Sequence, residues 1–415
     1  MQEKRVVVTG LGVISPVGNS ISSFWDALKE GKSGIGKLTT FDASAFDSRI
    51  AGEIKGFDHL AYGITKKDTH RMEKFVQYAI AGSKQALDDS GLDLDKENKE
   101  RIGVVVGSGI GSLRIIEEEH GVYLKHGPKR ITPFLIPMLI VNEASGQVAM
   151  IHGFKGPNSC VTTACASGSH AIGDAMRVIQ RGDADIMIAG GTESCITHLG
   201  VGGFCALKAL STRNDEPEKA SRPFDAERDG FVMAEGCGVV ILENLEHARK
   251  RNAHIYAEVL GFGTSCNAFH MTDLPGDGMA MVSCITLALK DAGIKPAEVD
   301  YINAHGSSTR MNDIFETSAY KTVFGDYAYK LPASSFKSMI GHPLAAANAI
   351  ELTVCAMIFE KNILPPTINQ EEKDPQCDLY YIPNKAIAKK VNMILKTSSG
   401  FSGIHSSLLL KRFGG

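Results

Sequence analysis

The thiol of Cys165 stands in "CVTTACASGSHAIGDAMRVIQ", at the head of a helix-length run made largely of Ala, Ser and Gly. A cysteine at a helix start meets unpaired backbone N–H groups and the positive end of the helix dipole. Both favour thiolate over thiol and so make a better nucleophile. Two histidines lie far along the chain at element ends. His305 is in "NAHGSST", where a strand-like run gives way to Gly and Ser, and His342 is in "KSMIGHPLAAA", at the start of a second small-residue helix. Catalytic side chains favour such places, because a rigid element behind the loop holds them. Lys337, five positions before His342, could sit beside the pair and disfavour its protonation. Each residue also has an inert reading. A buried free cysteine is commonly a small apolar residue, a histidine at an element end a capped one, and a lysine a solvated one. The other eight cysteines lie in apolar or strand-like settings and read as core.

The elements that must position these groups alternate. "KRVVVTGLG", "RIGVVVGSGIG", "ADIMIAGGTES" and "GCGVVILENL" read as strands, while "RMEKFVQYAIAGSKQALDDSG" and "SHAIGDAMRVIQRGD" carry helical periodicity. That order predicts an α/β layered fold. Past residue 250 the scheme restarts: strand "AHIYAEVLGFGTS", helix "MAMVSCITLALKDAGI", strand "VDYINAHGSST", then the helix "SMIGHPLAAANAIELTVCAMIFEKN". Two halves, 1–250 and 251–415, are therefore expected, the nucleophile in the first and the histidines in the second. Ala164, Ala166, Gly168, Ala171 and Gly173 can approach Ala345, Ala346, Ala347 and Ala349 closely if the two helices cross at the centre. The missing bulk around Cys165 would then be what brings the halves together.

Composition narrows the class. The 415 residues, 43% hydrophobic and 22% charged, suffice for a large core, and a formal net charge of −3 offers no global attraction to nucleic acid or an anionic membrane. The N-terminal apolar run is broken by glycines and reads as a first strand, and no stretch reaches the roughly 18 apolar residues of a membrane span, so a cytoplasmic protein is expected. The nine cysteines are scattered singly without CxxC pairs, which argues for reduced thiols and against a metal site.

"TACASG" with "NAHGSST", "KSMIGH" and the terminal "SGFSG" resembles the β-ketoacyl-[acyl-carrier-protein] synthases of the elongating, type II class. The similarity runs through nearly the whole chain, from "VVVTGLGVISPVG" by way of "GGFCALKALSTRND" and "SRPFDAERDGFV" to "LPPTIN". It implies the thiolase-like fold, a dimer whose related α/β halves form five layers around two buried central helices. It also implies a chemistry: Cys165 takes an acyl chain from acyl carrier protein, and a carrier-bound malonyl unit then loses CO2 and attacks the acyl-enzyme. Substrates ride on the carrier's phosphopantetheine, and no other cofactor is expected. Under this resemblance His305 and His342 are neutral donors to the malonyl thioester oxygen, Lys337 organises them, and Glu351 partners Lys337. The backbone N–H groups of Cys165 and Phe401 would form the oxyanion site, with Phe401 gating the thiol. Ile110, across the dimer interface, and Phe204 look like walls of the acyl pocket. Lys66, Lys67, Arg71 and Lys74 on a "KKDTHRMEK" helix, with Lys129, Arg130 and Lys208, are the expected docking surface for an acidic carrier.

The gate departs from the family's Gly-Phe-Gly-Gly-Thr-Asn. Here it reads "GFSGIHSS", with Ser402, Ile404 and His405 as the altered positions, and a serine tolerates positive φ poorly. Arg310 stands where proline is common, and Ala345 and Asn348 where glycines are. These departures leave an alternative open, an active ketosynthase of a specialised lipid or polyketide pathway. A thiolase would need a second cysteine in the C-terminal loop, which is absent there; the class with a His and Asn pair would lack His342; and a non-catalytic chain-length partner would lack the nucleophile.

Overall fold

The computed structural model describes residues 4–414. Ten strands form its scaffold: β1 (Val6–Ile14), β2 (Ile102–Gly107), β3 (Asn158–Ser159), β4 (Ile186–Glu193), β5 (Gly236–Asn244), β6 (Ala257–Cys266), β7 (Tyr301–Asn303), β8 (Ala333–Ser334), β9 (Met393–Gly400) and β10 (Ile404–Arg412). Nine helices matter to the site and its surroundings: α1 (Lys74–Ser90), α2 (Leu113–His126), α3 (Glu143–His152), α4 (Ser167–Arg181), α5 (His198–Ala206), α6 (Met279–Ala292), α7 (Arg310–Phe324), α8 (Lys337–Ile340) and α9 (Ala347–Lys361).

The strand order is β8-β7-β9-β10-β6-β1-β5-β4-β2-β3. Each half therefore places its strands third, second, fourth, fifth, first. In each, the second strand pairs in parallel with the third and fourth, and the fifth is antiparallel to its neighbours. This identity of order and direction is the duplication that the restart after residue 250 suggested. The two sheets meet along one edge, where Val6, Val7 and Val8 of β1 pair with Val259, Glu258 and Ala257 of β6.

Helices α4 and α9 pack between the sheets, α1 and α3 cover the outside of the first, and α6 and α7 the outside of the second. That makes five layers. Every residue of α9 from Ala347 to Phe359 is buried, as an apolar helix must be when it has a sheet on either side. Small residues permit the crossing. A Cβ on Gly168 would lie 2.8 Å from the Ala345 carbonyl oxygen and 3.1 Å from Ala349 Cβ. Gly173 is different: its missing side chain accommodates the Phe262 ring of β6, with a Cβ there only 2.4 Å from that ring, and not the partner helix.

Two expected elements are broken. The stretch from Ser338 to Asn362 is not one helix: α8 ends at Gly341 (φ +70), Pro343 follows, and α9 begins only at Ala347 after a 3-10 turn. Glycine in the left-handed region and proline both interrupt the helical hydrogen-bond ladder. Nor is "KKDTHRMEK" a helix, since only Asp68–His70 form a 3-10 turn before α1 starts at Lys74. No helix among the described residues is long and apolar enough to cross a membrane.

Candidate active site

Cys165 precedes α4, and its neighbour Ala164 is held at φ 51, a conformation that costs an L-residue roughly 1–3 kcal/mol. Ser167 holds the turn, its hydroxyl accepting from Thr163 N at 2.9 Å and donating to Ala164 O at 2.6 Å. Across the crossing, Asn348 Nδ2 donates to the Cys165 carbonyl at 2.5 Å. So the Cys165 backbone is gripped from the second half of the chain. Gly400, at the end of β9, lies against the same turn, where a Cβ would come 3.2 Å from the Cys165 nitrogen and 2.8 Å from Thr163 O. The requirement for glycine there is steric.

His305 and His342 reach the same place by different routes. His305 follows β7; its N–H and that of Gly306 donate to the two oxygens of Glu316 at 2.7 and 2.8 Å. Glu316 also accepts from Tyr320 Oη at 2.5 Å and Thr397 Oγ1 at 2.8 Å, a fully buried carboxylate among four donors. His342 sits in the break between α8 and α9, where its backbone N–H donates to Val232 O at 2.7 Å and its carbonyl accepts from Ala234 N at 3.1 Å. The two imidazoles meet edge to face with centroids 5.3 Å apart, and Phe231 lies 5.3 Å from His342 on the other side. Cys165, His305, His342, Phe204 and Phe401 line one chamber of about 100 Å³. The rings of Phe401 and Phe204 are 6.0 Å apart. Ile110 does not line the chamber; it packs beside Cys165 and Phe204 in the apolar cluster next to it.

Burial sets the protonation states. It pushes the Cys165 thiol up to about 12, although the Lys337 charge pulls the other way, so the resting residue is a thiol and not the thiolate expected of a helix start. Desolvation outweighs the dipole because Cys165 precedes the helix by two residues and faces an apolar wall. Both imidazoles are held well below the usual histidine range by burial first and the Lys337 ammonium second. They are therefore neutral. Nδ1 of each ring is buried without a hydrogen-bond partner among the described residues, which leaves Nε2 as the nitrogen available to the chamber.

Lys337 Nζ donates to His305 O at 2.7 Å and to Glu351 Oε1 at 2.7 Å, all three groups fully inside the protein. Two further charged residues here carry no mark in the sequence. Lys396 of β9, completely buried, places Nζ 2.8 Å from Glu351 Oε2 and donates to Thr397 O at 2.6 Å. Glu316 is the other. A lysine in a strand and a glutamate in a polar-faced helix look solvated in sequence; only their burial marks them.

At the mouth, Ser402 takes the left-handed conformation, φ 64, that glycine would occupy freely. Its N–H donates to Met271 O at 2.8 Å. His405 bridges the base of the loop, Nδ1 lying 3.0 Å from Ser399 Oγ and Nε2 3.1 Å from Asn267 Oδ1. Phe401, Thr272 and Leu274 separate the chamber from an outer cleft of about 810 Å³, whose rim includes Lys208 and Arg310. The seven expected docking residues are all exposed, but they are not one patch around that cleft. Lys208 borders it and pairs with Asp47 at 2.7 Å. Lys66, Lys67, Arg71, Lys74, Lys129 and Arg130 lie off it, with the Arg71 guanidinium 5.0 Å from the Phe134 ring joining two of those segments.

Known proteins are similar to this chain in sequence and fold. Residues 3–248 match the family model described as beta-ketoacyl synthase, N-terminal domain, and residues 256–371 the one described as its C-terminal domain. The chain is 50% identical over 412 residues to a 3-oxoacyl-[acyl-carrier-protein] synthase 2 of Coxiella burnetii, covering 99% of both proteins. It is 48% identical to the protein of that name from Synechocystis, covering 100% of this chain and 99% of that protein. Among solved structures it superposes with TM-score 0.93 and 43% identity, over the full length of both chains, on a type II polyketide-synthase ketosynthase described as in complex with its acyl carrier protein and bound to the hexaketide.

Proposed function

This chain belongs to the β-ketoacyl synthase family, and we propose that it extends acyl chains on acyl carrier protein by decarboxylative Claisen condensation, as in fatty acid elongation. One observation carries the assignment of residues: a thiol from the first half and two neutral imidazoles from the second line a single chamber.

Cys165 sulfur attacks the thioester carbonyl of the incoming acyl carrier, a C–S bond forms, and the carrier thiol leaves with the thiol proton. The backbone N–H groups of Cys165 and Phe401 receive the oxyanion. Malonyl carrier then loses CO2 and the bonding electrons pass to its thioester as an enolate. No base is needed, because C–C cleavage itself creates the nucleophilic carbon. What the site supplies is hydrogen-bond donation to the enolate oxygen, by Nε2–H of His305 and His342. An imidazolium there would be a stronger acid than the step requires and would protonate the carbanion. Donors of this kind are each worth about 3–4 kcal/mol of barrier. The new carbon–carbon bond forms as Cys165 sulfur departs, and the product is a 3-oxoacyl carrier two carbons longer.

The reading includes two α/β halves meeting at the chamber and a cytoplasmic homodimer. For the dimer, support comes from apolar side chains left in solvent on neighbouring helices: Leu124 of α2 (70% exposed), Met150 of α3 (68%) and Leu199 of α5 (56%). β3 is an edge strand of the sheet on the same half of the protein. A second reading, a ketosynthase of a specialised pathway, is favoured by the altered loop at Ser402, Ile404 and His405 and by the hexaketide-bound relative. Condensation assays with acyl carriers of graded length and saturation decide between them. Efficient use of ordinary medium and long saturated chains supports elongation, and their rejection supports the specialised pathway. Failure to form any acyl-enzyme on Cys165 by intact mass would overturn both.

A further inference from the structure

The geometry points to Lys396 as a positioning residue for the decarboxylation step: its buried ammonium is the second of two positive charges needed to keep His305 and His342 neutral behind the chamber. The inference rests on the reading of those imidazoles as neutral donors.

The need follows from counting the charges in one sealed layer. Two carboxylates lie there. Glu316 touches the His305 backbone directly, and four donors converge on it, the environment of an anion. Glu351 lies one residue further from the ring, bonded to the lysine that holds the His305 carbonyl. With Lys337 alone the layer would carry an excess negative charge beside an imidazole, and an excess negative charge draws a proton onto it. Lys396 restores the balance. It approaches the oxygen of Glu351 that Lys337 leaves free, at 2.8 Å, so that one carboxylate is flanked by an ammonium on each side. Lys337, Glu351 and Lys396 are each wholly excluded from solvent. Water cannot screen them, and their field reaches both rings.

The other groups facing the imidazoles do not substitute for it. Tyr320 of α7 is neutral and donates to Glu316. His405 of β10 is held down to about 4 and is neutral. Cys165 is a thiol, and Phe231 is an apolar contact on His342. Asp313, one turn before Glu316, is pushed up to about 6 by burial and faces Arg228 at 3.5 Å, so that pair adds no positive charge in excess. Lys396 also lies on β9, four residues before Gly400, and holds the Thr397 carbonyl. Its charge is thereby fixed relative to the strand that ends against Cys165.

The test is the pH profile of malonyl-carrier decarboxylation by the full-length protein, read as CO2 release, with Cys165 acylation by intact mass as the comparison arm. In K396M the acid limb moves upward by about one pH unit, so that the rate on that limb falls about tenfold while the wild-type rate stays level. K396R keeps the charge and holds the limb near the wild-type position. The double variant E316Q/K396M removes one carboxylate with the lysine and returns the limb toward wild type. Should K396M not fold, K396Q, which keeps a donor for Thr397 O, takes its place. An acid limb that stays in place in K396M, a loss by the same factor at every pH, or no return in the double variant overturns the inference. The premise fails separately: if H305A and H342A, which remove the donor, decarboxylate malonyl carrier at the wild-type rate, the donor reading falls whatever Lys396 does.

Discussion

Cys165 and His342 occupy matching places in the two halves: each lies between its half's third strand and the central helix, after β3 in one case and after β8 in the other. Their surroundings differ completely. The Cys165 turn is held by hydroxyl and amide groups and stripped of bulk, and among the charged groups of the site only Lys337 pulls its thiol toward ionisation. The His342 turn is broken by Gly341 and Pro343 and backed by the buried pair Lys337 and Glu351 with Lys396. Under the proposed roles, one position in a duplicated fold serves as a nucleophile in one half and a donor in the other. Burial, with the Glu193 charge, keeps the thiol protonated against the pull of Lys337, whereas burial and the Lys337 ammonium act together to keep the imidazole neutral.

The largest expected effect would break this division outright. C165A abolishes acyl transfer while malonyl decarboxylation persists, whereas H305A or H342A lowers decarboxylation by about 10²–10³-fold and still accumulates acyl-enzyme. Intact mass and CO2 release measure the two arms, and loss of acylation in all three variants alike would refute it. The pH dependence sharpens the contrast. Because burial raises the Cys165 thiol to about 12, its alkylation by iodoacetamide rises about tenfold per pH unit from 7 to 9 without a plateau. Over the same interval decarboxylation stays flat, since the histidines, held low, remain neutral throughout. A plateau in alkylation below pH 9 would show that the helix start wins over desolvation after all.

E351A probes the charged side alone. It leaves Lys337 and Lys396 buried without their shared carboxylate, and loss of about 3–5 kcal/mol in urea unfolding is expected. The smallest effect falls on the nucleophile side. N348A removes one hydrogen bond to the Cys165 carbonyl, about 0.5–1.5 kcal/mol, and slows acylation a few-fold with no change in decarboxylation. Equal slowing of both half-reactions would assign Asn348 to general stability instead.

Strands with near-continuous Val and Ile, such as β2 and β5, were legible in the chain because a strand buried on both faces leaves that signature. Cys165, His305 and His342 stood out at element ends, but it was the family resemblance that singled them out there. Lys396 and Glu316 were not legible: a charged residue in a strand or helix has no local mark that distinguishes solvent from core, and both are paired with residues tens of positions away. His342 was legible as a residue but misplaced by a few positions, because the Gly-His-Pro break sits inside an otherwise helical pattern.

What the sequence determined by itself is the repeated α/β order and the small-residue crossing, since these depend on local periodicity and side-chain bulk, while Cys165, His305 and His342 drew their proposed roles from the family resemblance. Only the tertiary structure decided their protonation. Ionisation answers to dielectric and to charges within a few ångströms, and folding alone brings Glu316, Lys337, Glu351 and Lys396 together where water is excluded.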